Sequence, residues 1–197
     1  MVHPPRVKLR KRPAVFFDRD GTLIFDQDYL SDPRGVKLIP GAAEAVCLLQ
    51  KAGYRVYVLS NQSGVARGFF TEVAVRRVTA RFKRLLAVRG ARLDGLFHCP
   101  HHPKGTVAKY RKTCRCRKPA PGMVEQAARK HPLDLKHSFI VGDKQDDLFL
   151  ARRAHLAGGL LVLTGYGRKS RRGLQSKDRL AVVKNALAAA RWIIKNS

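Results

Sequence analysis

The chain has 197 residues, 45% of them hydrophobic, with 40 Lys and Arg against 14 Asp and Glu and a formal charge of +26. Length and apolar content suit one well-buried globular unit, while the basic, proline-bearing tail over 1–12 has no apolar core of signal-peptide length. No later run approaches the roughly 20 apolar residues of a membrane span, so a soluble, retained protein without a membrane partner is expected.

The charge admits nucleic acid as a partner, because basic surfaces bind phosphate backbones without reading sequence. The cations are spread along the chain, however, and the few aromatics are not interleaved with them as in single-strand binders. A basic solvated surface is the favoured reading, and it would also attract any anionic substrate.

The first expected strand, 14–17 (Ala-Val-Phe-Phe), ends at Asp18-Arg19-Asp20-Gly21-Thr22. Five of the fourteen acids lie between Asp18 and Asp32 and three more between Asp143 and Asp147, a clustering that needs a cation. A calcium loop does not fit, since the glycine comes two positions early and Tyr29 stands where the closing glutamate belongs. Pro40 and Gly41 open a helix with Ala42, Ala45, Val46, Leu49 and Ala52 on one face, and Gly53 is placed to cap it. A second strand is expected over 54–59, and Thr71 starts an arginine-rich helix to about Val88. The third strand is expected over 93–98.

From there to Pro121, which starts another helix, the sequence is rich in Pro, His, Lys and Cys and has no periodicity, so something other than a core must order it. Three of the four cysteines lie here: Cys99, Cys114 and Cys116, with Cys47 far upstream. The pairs Cys99-x-His101 and Cys114-x-Cys116 are spaced for a closed, structural zinc site, with His98 and His102 as alternatives to His101. Such cysteine usage suits a reducing compartment, hence the cytoplasm.

A fourth strand over 138–141 ends at Gly142-Asp143, a helix follows over 147–154, and a fifth strand over 159–163 ends at Thr164-Gly165. A basic loop occupies 167–173. The last expected element is a helix over 180–194 with Leu180, Val183, Leu187, Ala190 and Ile194 toward the sheet. The alternation implies an α/β fold, a parallel sheet flanked by helices over 13–197, with Asp18, Asp20, Ser60, Asn61 and Asp143 at strand ends where ligands bind.

In order along the chain, Asp18-Arg19-Asp20-Gly21-Thr22, Ser60-Asn61-Gln62-Ser63-Gly64, Lys118 and Gly142-Asp143-x-x-x-Asp147 resemble the four motifs of the haloacid dehalogenase (HAD)-like phosphatases. The resemblance implies a Rossmann-like fold without a large cap, with a zinc-bound loop over 98–117. It implies Asp18 as nucleophile, Asp20 as general acid and base, and Ser60 and Lys118 as phosphate-stabilising groups. Magnesium would be held by Asp18, Asp143 and the backbone carbonyl of Asp20, with Asp147 orienting the shell.

The zinc loop and the 60–68 stretch resemble those of heptose 1,7-bisphosphate 7-phosphatases, with histidinol-phosphatases as close relatives. This implies zinc on Cys99, His101, Cys114 and Cys116, and a small phosphorylated sugar as substrate. Substrate contacts would fall at Asp26, Tyr29, Ser60, Asn61, Gln62, Ser63, Arg117 and Lys144, while Asp28 and Asp32 read as solvated loop residues. A monomer is expected, and a nucleic-acid binder or polynucleotide-end phosphatase is the alternative class.

Overall fold

The computed structural model describes residues 10–175, 178 and 180–197. Six strands, β1 (Ala14–Phe17), β2 (Arg55–Asn61), β3 (Gly95–Cys99), β4 (Phe139–Gly142), β5 (Gly158–Val162) and β6 (Ala181–Val183), form one parallel sheet in the order β3-β2-β1-β4-β5-β6. The helices are α1 (Ala42–Lys51), α2 (Glu72–Ala87), α3 (Gly122–Lys130), α4 (Gln145–Arg153), α5 (Gly167–Arg171) and α6 (Ala186–Asn196).

Strand side chains alternate between two cores, as a period of two requires. Val15, Phe17, Val56, Val58 and Val141 pack with α1, α2 and α6, whereas Phe16, Tyr57, Leu59 and Ile140 pack with α3 and α4. Because β1 has a strand on each side and helices on each face, Ala14 to Phe17 are wholly buried. That central position explains why its sequence is a continuous apolar run. Gly41, at φ 87°, starts α1 in a conformation that disfavours side chains, and a Cβ there would stand 2.9 Å from Leu187 Cβ.

The sheet order reverses direction between β1 and β4, which opens a crevice at their carboxyl ends. Asp18 immediately follows β1 and Asp143 immediately follows β4. The topology thus joins the two acidic windows of the sequence.

The C-terminal region differs from expectation. Val182 and Val183 belong to β6, which pairs with β5, and Asn185 then caps α6 by accepting from the Ala188 backbone N–H at 3.0 Å. The restart shifts the buried face of the helix to Ala186, Ala189, Ala190 and Ile193, leaving Leu180 and Ile194 exposed. The expected basic loop over 167–173 includes the short helix α5, and Ala52, expected on the apolar face of α1, is exposed beyond its last turn. β3 starts at Gly95 and α4 at Gln145, each two residues from expectation.

Of the basic N-terminal stretch, residues 1–9 lie outside the described residues. Arg12 is bound to the body, its guanidinium donating to Gly53 O at 2.7 Å and its backbone N–H to Pro132 O at 3.2 Å. Among the described residues no helix is long and apolar enough to cross a membrane.

Candidate active site

The crevice is a cleft of about 310 Å³ whose lining includes Asp18, Asp20, Asp26, Tyr29, Asn61, Gln62, Ser63, Arg117, Lys118 and Lys144. Asp18 is held at the end of β1 by its backbone N–H, which donates to Val141 O at 2.9 Å. Lys118 enters from the loop before α3 and is itself buried. Its ammonium donates to Asp18 Oδ1 and Asp147 Oδ1, each at 2.6 Å, and to Leu59 O at 2.8 Å. Asn61 fixes the backbone of Lys118 from both sides, accepting from its N–H at 3.0 Å and donating to its carbonyl at 3.1 Å. This reciprocal pair places the ammonium over the crevice despite an irregular local chain.

Asp20 faces a different set of donors. The buried Arg19 guanidinium lies 3.0 Å from its carboxylate, Gln62 Nε2 donates at 2.9 Å and Ser60 Oγ at 3.3 Å. Two carboxyls only two residues apart therefore have separate environments, Asp18 deep beside an ammonium and Asp20 partly exposed. Ser60 was expected to serve phosphate directly; here it is 1% exposed and its hydroxyl donates to Asp20.

Asp18, Asp143 and Asp147 each offer an oxygen within 4.8 Å of the others, and all three are buried. One lysine cannot neutralise three buried carboxylates. Burial pushes Asp18 up to about 6 despite the neighbouring Lys118, and pushes Asp143 up to about 8, with Asp18 and Asp147 adding to the effect. Lys118 shows the opposite balance: burial disfavours its charge, but Asp147 and Asp18 outweigh burial and raise its pKa.

Asp143 Oδ1 is buried without a hydrogen-bond partner, while its Oδ2 accepts from the Tyr166 backbone N–H at 2.8 Å. A divalent cation with oxygen preference fits this donor set. Asp147 is already engaged, its Oδ1 with Lys118 and its Oδ2 with the Lys144 backbone N–H at 3.2 Å. Gly21, at φ 81°, is required here because a Cβ would come within 2.3 Å of Asp143 Oδ2.

The aperiodic stretch after β3 folds around Cys99, His101, Cys114 and Cys116, whose donor atoms also lie within 4.8 Å of one another. Cys99 Sγ is 3.4 Å from Cys114 Sγ and 2.9 Å from Cys116 Sγ, and His101 offers Nδ1 at 3.3 Å from Cys116 Sγ. The donor types and their convergence fit zinc. Hydrogen bonding to the neighbouring sulfurs splits the thiols, lowering Cys116 to about 5 and raising Cys99. His102 is turned elsewhere, its Nδ1 accepting from the Lys104 backbone N–H at 3.1 Å, and His98 is half-buried on β3. Arg117 follows Cys116 directly and reaches within 3.5 Å of His101 O.

Two family models match the chain, "Haloacid dehalogenase-like hydrolase" over residues 15–78 and "HAD-hydrolase-like" over 115–190. D-glycero-beta-D-manno-heptose-1,7-bisphosphate 7-phosphatase of Photorhabdus laumondii is 44% identical over 153 residues, covering 78% of this chain and 81% of the relative. The chain belongs to the HAD-like phosphatases. It is a phosphoric monoester hydrolase.

Its enzyme relatives include the Escherichia coli K12 protein of the same name, 42% identical over 78% of this chain and 80% of that one. Among solved structures, a HAD-like phosphatase from Mesorhizobium loti superposes with TM-score 0.82 at 35% identity, covering 98% of this chain and 90% of that one. The D,D-heptose 1,7-bisphosphate phosphatase of B. bronchiseptica, complexed with magnesium and phosphate, superposes with TM-score 0.81 at 34% identity, covering 94% and 99%.

Several cleft residues of this HAD-like phosphatase were not singled out from sequence. Arg19 lies inside the first motif, but nothing in the sequence indicates that its guanidinium turns inward onto Asp20. Asp28 is exposed, as expected of a solvated loop residue, and it also accepts from Tyr166 OH at 2.9 Å; both line the cleft. The rule that ligands meet strand ends could have found Tyr166, two residues beyond Thr164 after β5. Asp32 is bound locally to Arg34, at 2.6 Å, as a loop residue would be.

Proposed function

We propose that this enzyme is a magnesium-dependent sugar phosphatase acting on a heptose 1,7-bisphosphate at the 7-phosphate, as one catalytic unit over residues 13–197. The observation that carries the chemistry is the placement of Asp18 against Lys118, 2.6 Å apart in a buried site, with Asp20 next to it but separately held. The heptose substrate is supported by the names of relatives matched over 78% of the chain at 42–44% identity.

An Asp18 oxygen attacks phosphorus as the bond from phosphorus to the leaving oxygen breaks, giving an aspartyl-phosphate. Asp20 gives a proton to the departing alkoxide, then takes one from the water that attacks the same phosphorus and returns Asp18 as a carboxylate. Arg19, Gln62 and Ser60 hold Asp20 in place for both transfers. Lys118 stabilises negative charge on the equatorial oxygens.

Magnesium, bound by Asp18, Asp143 and the Asp20 carbonyl, would offset charge between carboxylates and phosphate. Asp147 would orient that shell, and Cys99, His101, Cys114 and Cys116 would hold a structural zinc that fixes the loop bearing Arg117 and Lys118. Asp26, Tyr29, Asn61, Gln62, Ser63, Arg117 and Lys144 line the wall for the sugar and its second phosphate, with Arg117 suited to the anionic end. Unpaired cysteines with zinc spacing suit a cytoplasmic, reducing setting.

Phosphate release from heptose 1,7-bisphosphate, histidinol phosphate and a 3′-phosphorylated oligonucleotide, with Asp18→Asn as blank, tests the proposal. Preferred turnover of the heptose compound is expected. Turnover of the oligonucleotide alone would reject the substrate, and no turnover of any of the three with magnesium would reject the mechanism.

A further inference from the structure

Tyr166 has no part in the phosphate chemistry above, yet it touches three structures that shape the cleft. Its backbone N–H holds Asp143, its hydroxyl donates to Asp28 Oδ1 at 2.9 Å, and Lys144 Nζ stands 4.6 Å from the centroid of its ring. Lys144 also reaches Asp26 Oδ2 at 3.4 Å. Asp28 directly, and Asp26 through Lys144, thus connect to one tyrosine.

That loop needs a tether. Asp28 and Tyr29 have φ of 35° and 62°, two consecutive residues in the left-handed region without a glycine. The hydroxyl of Tyr166 reaches Asp28 from outside the loop, whose neighbouring residues are held by Gln27 Nε2 donating to Gly35 O at 2.9 Å and by the Tyr29–Phe69 ring pair. Its ring also borders the central cleft and two side clefts, one running toward Lys169 and the other toward Phe25. Among the described residues Tyr166 is the one that lines all three, while Lys144 and Asp146 border the first side cleft and Asp26 and Asp28 the second.

We propose that Tyr166 is a positioning and specificity-determining residue. Its hydroxyl latches the 26–29 loop through Asp28, and its ring confines the far end of the substrate to the central cleft. This rests on reading the cleft as the phosphatase site, and the test separates the two.

Tyr166→Phe keeps the ring and the backbone N–H and removes only the latch. Amide hydrogen exchange across 25–31 is expected to accelerate about tenfold, the scale of one solvent-exposed hydrogen bond to a carboxylate. Asp28→Asn, which retains an acceptor, keeps exchange slow; Asp28→Ala reproduces Tyr166→Phe, and combining the two adds nothing. On whichever sugar phosphate the wild type turns over best, KM in Tyr166→Phe rises by a similar factor and by more than kcat falls. The effect is smaller on p-nitrophenyl phosphate, which has no second anionic end.

Tyr166→Ala removes this confinement, so kcat/KM shifts toward bulkier phosphomonoesters. Unchanged exchange in Tyr166→Phe, or KM rising equally for both substrates, would overturn the latch, and an unchanged substrate ranking in Tyr166→Ala would overturn the confinement. Exchange needs no substrate, so that readout decides the latch whether or not wild type with magnesium hydrolyses any phosphoester.

Discussion

Lys118 Nζ lies 2.6 Å from Asp18 Oδ1, and the two side chains are only 3% and 7% exposed. Burial would drive both toward neutrality, Asp18 by protonation and Lys118 by proton loss, so each helps keep the other charged. The same ammonium binds Asp147, which coordinates the position of the cation with that of the acidic cluster.

Replacing Lys118 with Met should lower kcat by about a hundredfold or more, the scale seen when one preorganised charge-stabilising donor is lost. The thermal midpoint should fall as well, since Asp18 and Asp147 lose their shared buried counter-charge. Steady-state kinetics at saturating magnesium, beside Lys83→Met on the exposed face of α2, provides the comparison. A kcat within threefold of wild type would remove Lys118 from the chemistry.

Asp20→Asn should discriminate between leaving groups. With a sugar alkoxide, loss of proton transfer should cost about 10²–10⁴ in kcat, and with p-nitrophenyl phosphate, whose leaving group departs without protonation, much less. Equal losses for both would show that Asp20 acts only through the geometry of its contacts with Arg19, Ser60 and Gln62.

Purified, chelator-free protein should contain about one zinc, tetrahedrally bound, and Cys116→Ser should lower that stoichiometry and the thermal midpoint together. Activity should fall in the same variant because Arg117 and Lys118 follow Cys116 directly. Zinc below half an equivalent in wild type, or full activity in a zinc-free variant, would contradict this link between loop and site.

Tyr57 provides a pH test away from the site. Burial pushes its phenol from 10 up to about 12, so the unfolded chain loses this proton first as pH rises. Stability from this group is complete below pH 10 and is lost between 10 and 12, by about 2–3 kcal/mol at most. In Tyr57→Phe this part of the alkaline decline should vanish, on top of a constant cost from losing the 2.6 Å contact with His131 Nδ1. Denaturant midpoints that fall in parallel for both proteins would contradict it.

Most of the sheet was legible because β1, β2, β4 and β5 are apolar runs bounded by turn residues, and buried parallel strands have to read that way. β6 was not, since Ala181 to Val183 is short, lies at the edge and continues into helix-compatible sequence; only Asn185 marks the boundary. The convergence of the acidic cluster and of the Cys/His cluster was legible because each set combines residue types and short spacings whose chemistry has few other uses. The inward turn of Arg19 onto its neighbour Asp20 was not, because sequence does not give a side chain's direction, nor was the pairing of Asp28 with Tyr166, which lies 138 residues away. Ser60 lies at a strand end, and its partner Asp20 follows from the packing of two strand ends.

The central claim is that Asp18 attacks phosphorus. Quenching the enzyme with borohydride during turnover reduces an aspartyl-phosphate to homoserine, and mass spectrometry of the peptide containing position 18 reads the result. Homoserine at position 18, dependent on both substrate and magnesium and absent in Asp18→Asn, is predicted. Unmodified Asp18 in enzyme quenched throughout the first turnover with substrate and magnesium, or reduction at another carboxylate, would contradict the account.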